Sequence, residues 1–405
     1  MSGANIKDSN KRLFQVNTSY NAPYLLSLLY LISILIFPKG YFVDNFGVRP
    51  EDFIGFSLLF FVPIYVFFFK IPTWRSGNFI AFYFWYLLFI TLINGLSGDF
   101  YAQVFVLFFK ELSYVAFGFA MYLAAKNNTR LLLKSIQIIL IPNALYGVYQ
   151  IFNGSLGLYG ISPFGHETSP ASSGILYFFG FIFYYIYIRL YGGGLFKLGF
   201  LAILFSLVVL SGSKLSVLGL FVFCFFEFIF NFKKMRIGVI LLALVFILFI
   251  SGLTLFLSYD PNWSALLRYQ GFLTPLEVIE NRGIWFRFEW INDWRYMLFG
   301  NGLSIGHVPE SGEFTYRMRM DNLVLYLLVV VGVIGTTIFI AMILAMFKQI
   351  NSYSKKVFLS VIYSFFFMGL GIEIFQTSIS GSLFWGVFGL LSALNTSFDK
   401  DKEFL

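Results

Sequence analysis

Charge is scarce in this sequence: only 12% of its 405 residues are Asp, Glu, Lys or Arg, against 59% hydrophobic and 22% aromatic. That leaves too little polar surface to cover a globular core, which excludes a soluble domain. A single cysteine, Cys224, excludes an intrachain disulfide. Two histidines, His166 and His307, cannot build a His-rich metal site, and neither a Cys/His cluster nor an HExxH pattern occurs, so zinc chemistry is not expected. What is abundant is apolar: 56 Phe and 25 Tyr, with a mean hydropathy of +0.79. Apolar runs approach the ~20 residues that cross a ~30 Å hydrocarbon core. The composition predicts an all-α polytopic membrane protein. Its net charge of +8 is then a topology signal and no footprint of nucleic acid.

Residues 1–22 are polar and carry Lys7, Lys11 and Arg12, and the apolar stretch after them ends at Pro38-Lys39 without a small-residue cleavage site. No cleaved signal peptide is expected. Bounding the apolar runs by charges, Gly/Pro and Asn predicts helices near 23–38, 53–69, 78–97, 101–125, 131–152, 171–191, 198–212, 214–232, 237–258, 322–347, 357–374 and 381–396. These are about twelve crossings. The spans flanking Ser211-Gly212-Ser213-Lys214 read either as one long buried hairpin or as two shorter crossings.

With both termini inside, the cytoplasmic segments hold Lys7, Lys11, Arg12, Lys70, Arg75, Lys126, Arg130, Lys134, Arg189, Lys197, Lys233, Lys234, Arg236, Lys348, Lys355, Lys356, Lys400 and Lys402. The short outer loops hold only Lys39 and Arg49, so the positive-inside rule selects this orientation. Three regions follow: an N-terminal membrane bundle over 1–258, a large outer loop over 259–320, and C-terminal membrane helices with a cytoplasmic tail over 321–405.

The outer loop holds Arg268, Arg282, Arg287, Arg295, Arg317 and Arg319 but no lysine. A planar guanidinium fork grips phosphate or carboxylate bidentately, whereas an ammonium is a hydrated point charge. Ion pairing with Asp260, Glu277, Glu280, Glu289, Asp293, Glu310 and Glu313 is the structural alternative. Between Arg282 and Phe299, Trp285, Phe288, Trp290, Ile291 and Trp294 recur at helical spacing among charges. This predicts an interfacial helix on the outer leaflet, its aromatics anchoring in lipid more readily than stacking on sugar.

Lys110, Glu111, Glu227 and Glu373 fall inside apolar runs and each needs a partner or water. Neighbours on a helix stand about 100° apart, so Lys110 and Glu111 are expected to contact different elements. Structural pairing accounts for these four more simply than catalysis. Lys214 follows Ser213 where a helix begins, a position that offers a bound phosphate free backbone N–H groups.

After the loop, Asp321-Asn322 opens an apolar helix carrying Gly332-Val-Ile-Gly335. This pattern resembles the signature of bacterial O-antigen polymerases and O-antigen ligases. Ser213-Lys214 is similar to that family's Ser-Arg at a helix start. Arg282 or Arg287 followed by Gly300-Asn301-Gly302 resembles its Arg and GxG pattern, and Gly165 to Ala171, with His166 and Glu167, its polar turn into a central helix. The matches keep their order over residues 150–340.

The resemblance implies a GT-C-like fold with the active site facing the periplasm of the bacterial inner membrane. It implies transfer of a glycan from undecaprenyl pyrophosphate to an acceptor hydroxyl without metal, cofactor or nucleotide sugar. A polymerase uses another lipid-linked repeat unit as acceptor; a ligase uses lipid A core. On this reading Arg282 and Arg287 stabilise the departing pyrophosphate, with Lys214 and Ser213 supporting and Arg317 and Arg319 in reserve. Asp321 is the general base beside Asn322, with His166 and Glu167 as alternatives. A helix cap explains Asp321 equally. Asp at 321 where ligases place His leans toward polymerase, and Lys at 214 departs from the bidentate arginine. Expected partners are the lipid-linked oligosaccharide, membrane lipid and a chain-length regulator protein, with no nucleic acid. A lipid-linked oligosaccharide flippase or proton-coupled transporter is the alternative from another class, against which stand the arginine-selective loop and the lack of a clear internal repeat.

Overall fold

The computed structural model describes residues 21–36, 50–69, 74, 76–96, 102–153, 170–231, 294–304, 323–350, 352–369 and 378–401. Among them the chain is almost entirely helical: α1 (Asn21–Ile36), α2 (Pro50–Phe69), α3 (Gly77–Leu96), α4 (Ala102–Asn153), α5 (Pro170–Tyr191), α6 (Leu195–Leu210), α7 (Lys214–Asn231), α8 (Trp294–Phe299), α9 (Leu323–Leu325), α10 (Gly332–Gln349), α11 (Ser352–Gly369) and α12 (Ser378–Asp401). A π-helical turn over Tyr326–Val331 joins α9 to α10. This is the architecture of an all-α membrane protein. Six stretches are long and apolar enough to cross a bilayer, within α2, α3, α4, α5, α7 and the run Tyr326–Gln349. Shorter apolar helices lie within α1, α6 and α12. The expected crossing at 357–374 is met by α11, which carries Ser352, Lys355 and Lys356 near its start and is not among those six. The expected helix at 237–258 lies outside the described residues.

The two helices expected at 101–125 and 131–152 are present as the two arms of α4, which meet at a kink at Asn128, where the backbone leaves helical space (φ −154°, ψ 87°). The Asn128 side chain accepts a hydrogen bond from the Leu131 N–H (2.9 Å) and so caps the second arm. α4 carries the centre of the packing, touching α12, α1 and α2 most extensively.

Within lipid there is no hydrophobic drive to bring helices together, so close backbone approach between small residues does that work. The first arm and α12 meet this way. A Cβ added at Gly118 would stand 2.5 Å from the Trp385 carbonyl oxygen, and one at Gly389 would stand 1.9 Å from the Gly118 oxygen. Around this seam Trp74 stacks on Trp385 (6.4 Å between centroids) and meets Phe119 and Phe388 edge-on.

Cross-contacts give the bundle two ends. At one, Gly174 near the start of α5 lies against Ser211, Ser213 and Ser216, and Met368 near the end of α11 against Gly219. Thr91 near the end of α3 lies against Gly302 at this end. At the other, the Ser76 hydroxyl donates to the Gln349 amide oxygen (2.8 Å). There too, Glu227 of α7 accepts hydrogen bonds from Arg189 and Tyr185 of α5, Asn231 of its own helix (3.0 Å) and Ser360 of α11 (3.0 Å). The structural pairing expected for Glu227 is therefore present. Glu373 lies outside the described residues.

Gly389→Val should lower stability by about 1–3 kcal/mol through overpacking against the Gly118 backbone. Gly199, with nothing within 4 Å of an added Cβ, should accept Ala without loss. Thermal unfolding of the purified protein in detergent checks both.

Candidate functional site

The end of the bundle marked by Lys214 is where motif residues gather. Leu210 ends α6, and the turn Ser211-Gly212-Ser213 reverses the chain, with Gly212 at φ +69°. Ser213 is the N-cap of α7: its hydroxyl accepts from the Ser216 N–H (3.4 Å) and lies 2.8 Å from the Ser216 hydroxyl. Its own N–H donates to the Ser211 hydroxyl oxygen (3.3 Å). Ser213 is buried at 4% exposure and its hydroxyl is committed to this cap. Lys214 follows in the first turn, half-buried. Gly174 lets α5 approach the cap, since an added Cβ would meet Ser213 Cβ at 2.4 Å.

A second junction at this end joins α8 and the turn after it to the broken helix α9–α10. α8 stops at Gly300 (φ +81°), and Gly302 (φ +68°) and Gly332 (φ +66°) share this left-handed geometry, which only glycine adopts without strain. An added Cβ at Gly300 would lie 2.3 Å from the Val330 carbonyl oxygen, and one at Gly332 would lie 2.4 Å from the Gly300 nitrogen. The Asn301 N–H donates to the Val329 carbonyl (2.8 Å) and its side-chain amide to the same oxygen (3.4 Å). Tyr86 of α3 donates from its hydroxyl to the carbonyls of Phe299 (3.0 Å) and Val331 (3.3 Å). Gly335, the second glycine of the GxxG pattern, makes room for the Tyr86 ring, which an added Cβ would meet at 2.5 Å.

Polar side chains lie within the bundle as well. Lys110 of α4 pairs with Asp52 in the first turn of α2 (2.6 Å). Its neighbour Glu111, at 4% exposure, accepts hydrogen bonds from the Tyr326 hydroxyl at 3.0 and 3.3 Å. The two adjacent charges thus contact different elements, as their separation around the helix requires. Glu111 also lines a cavity of about 10 Å³ with Tyr83, Phe84, Tyr114, Phe339, Met342 and Trp385, room for a single water. Tyr326 stands in the π-helical turn, a local distortion often found at functional sites. Neither Asp52 nor Tyr326 was singled out in the sequence. Asp52 preceded the apolar run expected from residue 53, and Tyr326 carried no signal among so many aromatics.

Asp321, Asn322, Arg282, Arg287, Arg317, Arg319, His166 and Glu167 lie outside the described residues. Of the expected interfacial helix, the part described is α8, none of whose residues is buried; Trp294, Tyr296, Met297 and Phe299 are exposed. Among the described residues, no group of three His, Cys, Asp or Glu side chains is arranged to hold a metal ion. The chain matches no protein-family model and no curated protein.

Lys110→Met alone should destabilise the protein by about 3–5 kcal/mol, since the buried Asp52 carboxylate would lose its paired cation. Combining it with Asp52→Leu should recover most of that loss, and a double-mutant cycle in thermal unfolding measures the coupling. Gly300→Ala should cost more than about 2 kcal/mol, combining positive φ with collision against the Val330 carbonyl. Increased protease cleavage near residue 300 would report the same opening.

Proposed function

We propose that this chain is an O-antigen or surface-polysaccharide polymerase of the bacterial inner membrane. In this reading it is a GT-C-like glycosyltransferase with about twelve crossings. It transfers a glycan from undecaprenyl pyrophosphate onto a second lipid-linked repeat unit at the periplasmic face. The observation that carries the reading is the junction of two motif pieces distant in sequence: Gly300 and Asn301 pack on Val329 to Gly332, and Tyr86, which bonds the Phe299 carbonyl, lies against Gly335. The residue after Asn322, Leu323, begins its helix there, at the end of the bundle that also holds Lys214. The opposite end holds Lys126, Arg130, Lys134, Arg189, Lys197, Lys348, Lys355 and Lys356 at or near helix termini. That distribution supports a cytoplasmic location for the Arg189 end and a periplasmic one for the Lys214 end.

In the proposed reaction the acceptor sugar hydroxyl attacks the anomeric carbon of the donor. The bond to pyrophosphate breaks, the leaving group keeps the electron pair, and the hydroxyl proton passes to the Asp321 carboxylate. Arg282 and Arg287 stabilise charge gathering on the diphosphate, with Lys214 as a nearby cation. No metal is required, because guanidinium groups meet the same charge bidentately. A protein that regulates chain length is the expected partner.

Purified protein supplied with lipid-linked single repeat units should produce a ladder of longer glycans. Arg282→Ala or Arg287→Ala should slow elongation by about 10²–10³-fold, and Asp321→Asn by about 10²–10⁴-fold, at unchanged protein level. In cells, loss of the gene should leave lipopolysaccharide capped by one repeat unit. Long polymer stranded on its lipid carrier would instead indicate a ligase, and single units trapped inside would indicate a flippase. Normal banding from all three variants removes the proposed mechanism.

A further inference from the structure

At the Arg189 end the cations divide into two kinds. Arg189 is neutralised by the buried Glu227 carboxylate. Arg130 and Lys197 instead lie over tyrosine faces. The Arg130 guanidinium carbon sits 5.6 Å from the centre of the Tyr191 ring, and Lys197 Nζ sits 4.9 Å from that of Tyr187. The two rings belong to one helix and are 5.3 Å apart, so cations from α4 and α6 converge on adjacent aromatics of α5. Lys134, one turn beyond Arg130, is exposed as Arg130 is. Among the described residues neither Arg130, Lys134 nor Lys197 forms a salt bridge with a carboxylate.

A ring face holds a guanidinium by its plane and leaves its N–H donors, which lie in that plane, directed past the ring edge. Lys197 spends one donor on the Gly192 carbonyl (2.9 Å), and an ammonium has three. The cluster therefore attracts an anion and can still hydrogen-bond to it.

The surroundings specify what kind of anion. Below Arg130, the second arm of α4 exposes Leu131, Ile138 and Leu145 at 48%, 67% and 63%, a seven-residue spacing that forms one apolar stripe. Beside Lys197, Phe196 is 95% exposed. A soluble anion would use the cations alone; a phospholipid would also lay its acyl chain along this adjoining apolar surface. We infer that Arg130, Lys134 and Lys197, over Tyr187 and Tyr191, bind the phosphate headgroup of an anionic phospholipid whose acyl chain lies along the Leu131–Ile138–Leu145 stripe. This inference is independent of the proposed polymerase activity.

The test is native mass spectrometry of the full-length protein, released from micelles with phosphatidylglycerol or phosphatidylcholine at equal concentration. Phosphatidylglycerol should be retained preferentially. Each cation removed among R130A, K134A and K197A should weaken retention about fivefold, while R130K with K197R should keep most of it. K126A with K355A removes two cations of the same end that lie over other rings, Tyr122 and Phe347, away from the Tyr187–Tyr191 pair, and should change retention little. Circular dichroism before the measurement identifies any variant that has lost its helices; the K126A/K355A comparison and the R130K/K197R rescue then decide with folded protein. Three results overturn the inference: equal retention of the two lipids, an equal loss in K126A/K355A, or complete displacement of the lipid by millimolar inorganic phosphate, which would make the ligand a soluble anion.

Discussion

A backbone carbonyl or N–H facing hydrocarbon without a partner costs several kcal/mol, so a membrane chain can interrupt a helix only where something else supplies the missing hydrogen bonds. The stretch from Leu323 to Gln349 is interrupted in this way. Its backbone passes through a π-helical turn and then through Gly332 at positive φ, which frees carbonyls that a straight helix would satisfy. Each repair comes from outside the regular ladder: Asn301 reaches Val329, Tyr86 reaches Val331, and the Thr336 hydroxyl donates to the Leu327 carbonyl (2.9 Å). Asn301, in the turn after α8, thus supplies hydrogen bonds to a helix it does not belong to.

The same requirement explains the internal charges. Lys110 and Asp52 tie α4 to α2, Glu111 ties α4 to the π-helical turn, and Glu227 gathers α5, α7 and α11. Each ionised group is met by an opposite charge or by hydroxyl and amide donors. These contacts specify which helices are neighbours, since apolar surfaces in lipid discriminate weakly between partners.

Much of this was legible in the sequence because charges, Gly/Pro and Asn interrupt long apolar runs. The predicted α2, α3, α5 and α7 differ from the observed helices by a few residues. The polar run Lys126-Asn127-Asn128-Thr129-Arg130 marked the break in α4, though not that Asn128 alone makes it. The separate fates of Lys110 and Glu111 followed from helix geometry. Their partners did not, because contact across the bundle leaves no periodic trace in either segment. The π-helical turn was equally hidden: an apolar pattern records which face is buried and carries little information about hydrogen-bond register. At the candidate site, Ser213 was readable as a helix start, and the glycines were readable as a motif. Their role as a backbone-to-backbone contact required knowing that residues 300 and 332 meet.

Because Asn301 bonds to Val329 and Gly300 packs against Val330 and Gly332, the turn after α8 and the interrupted helix form one mechanical unit. A shift of α8 would be felt first at Val329 and Gly332, where the contacts leave no room even for an added Cβ.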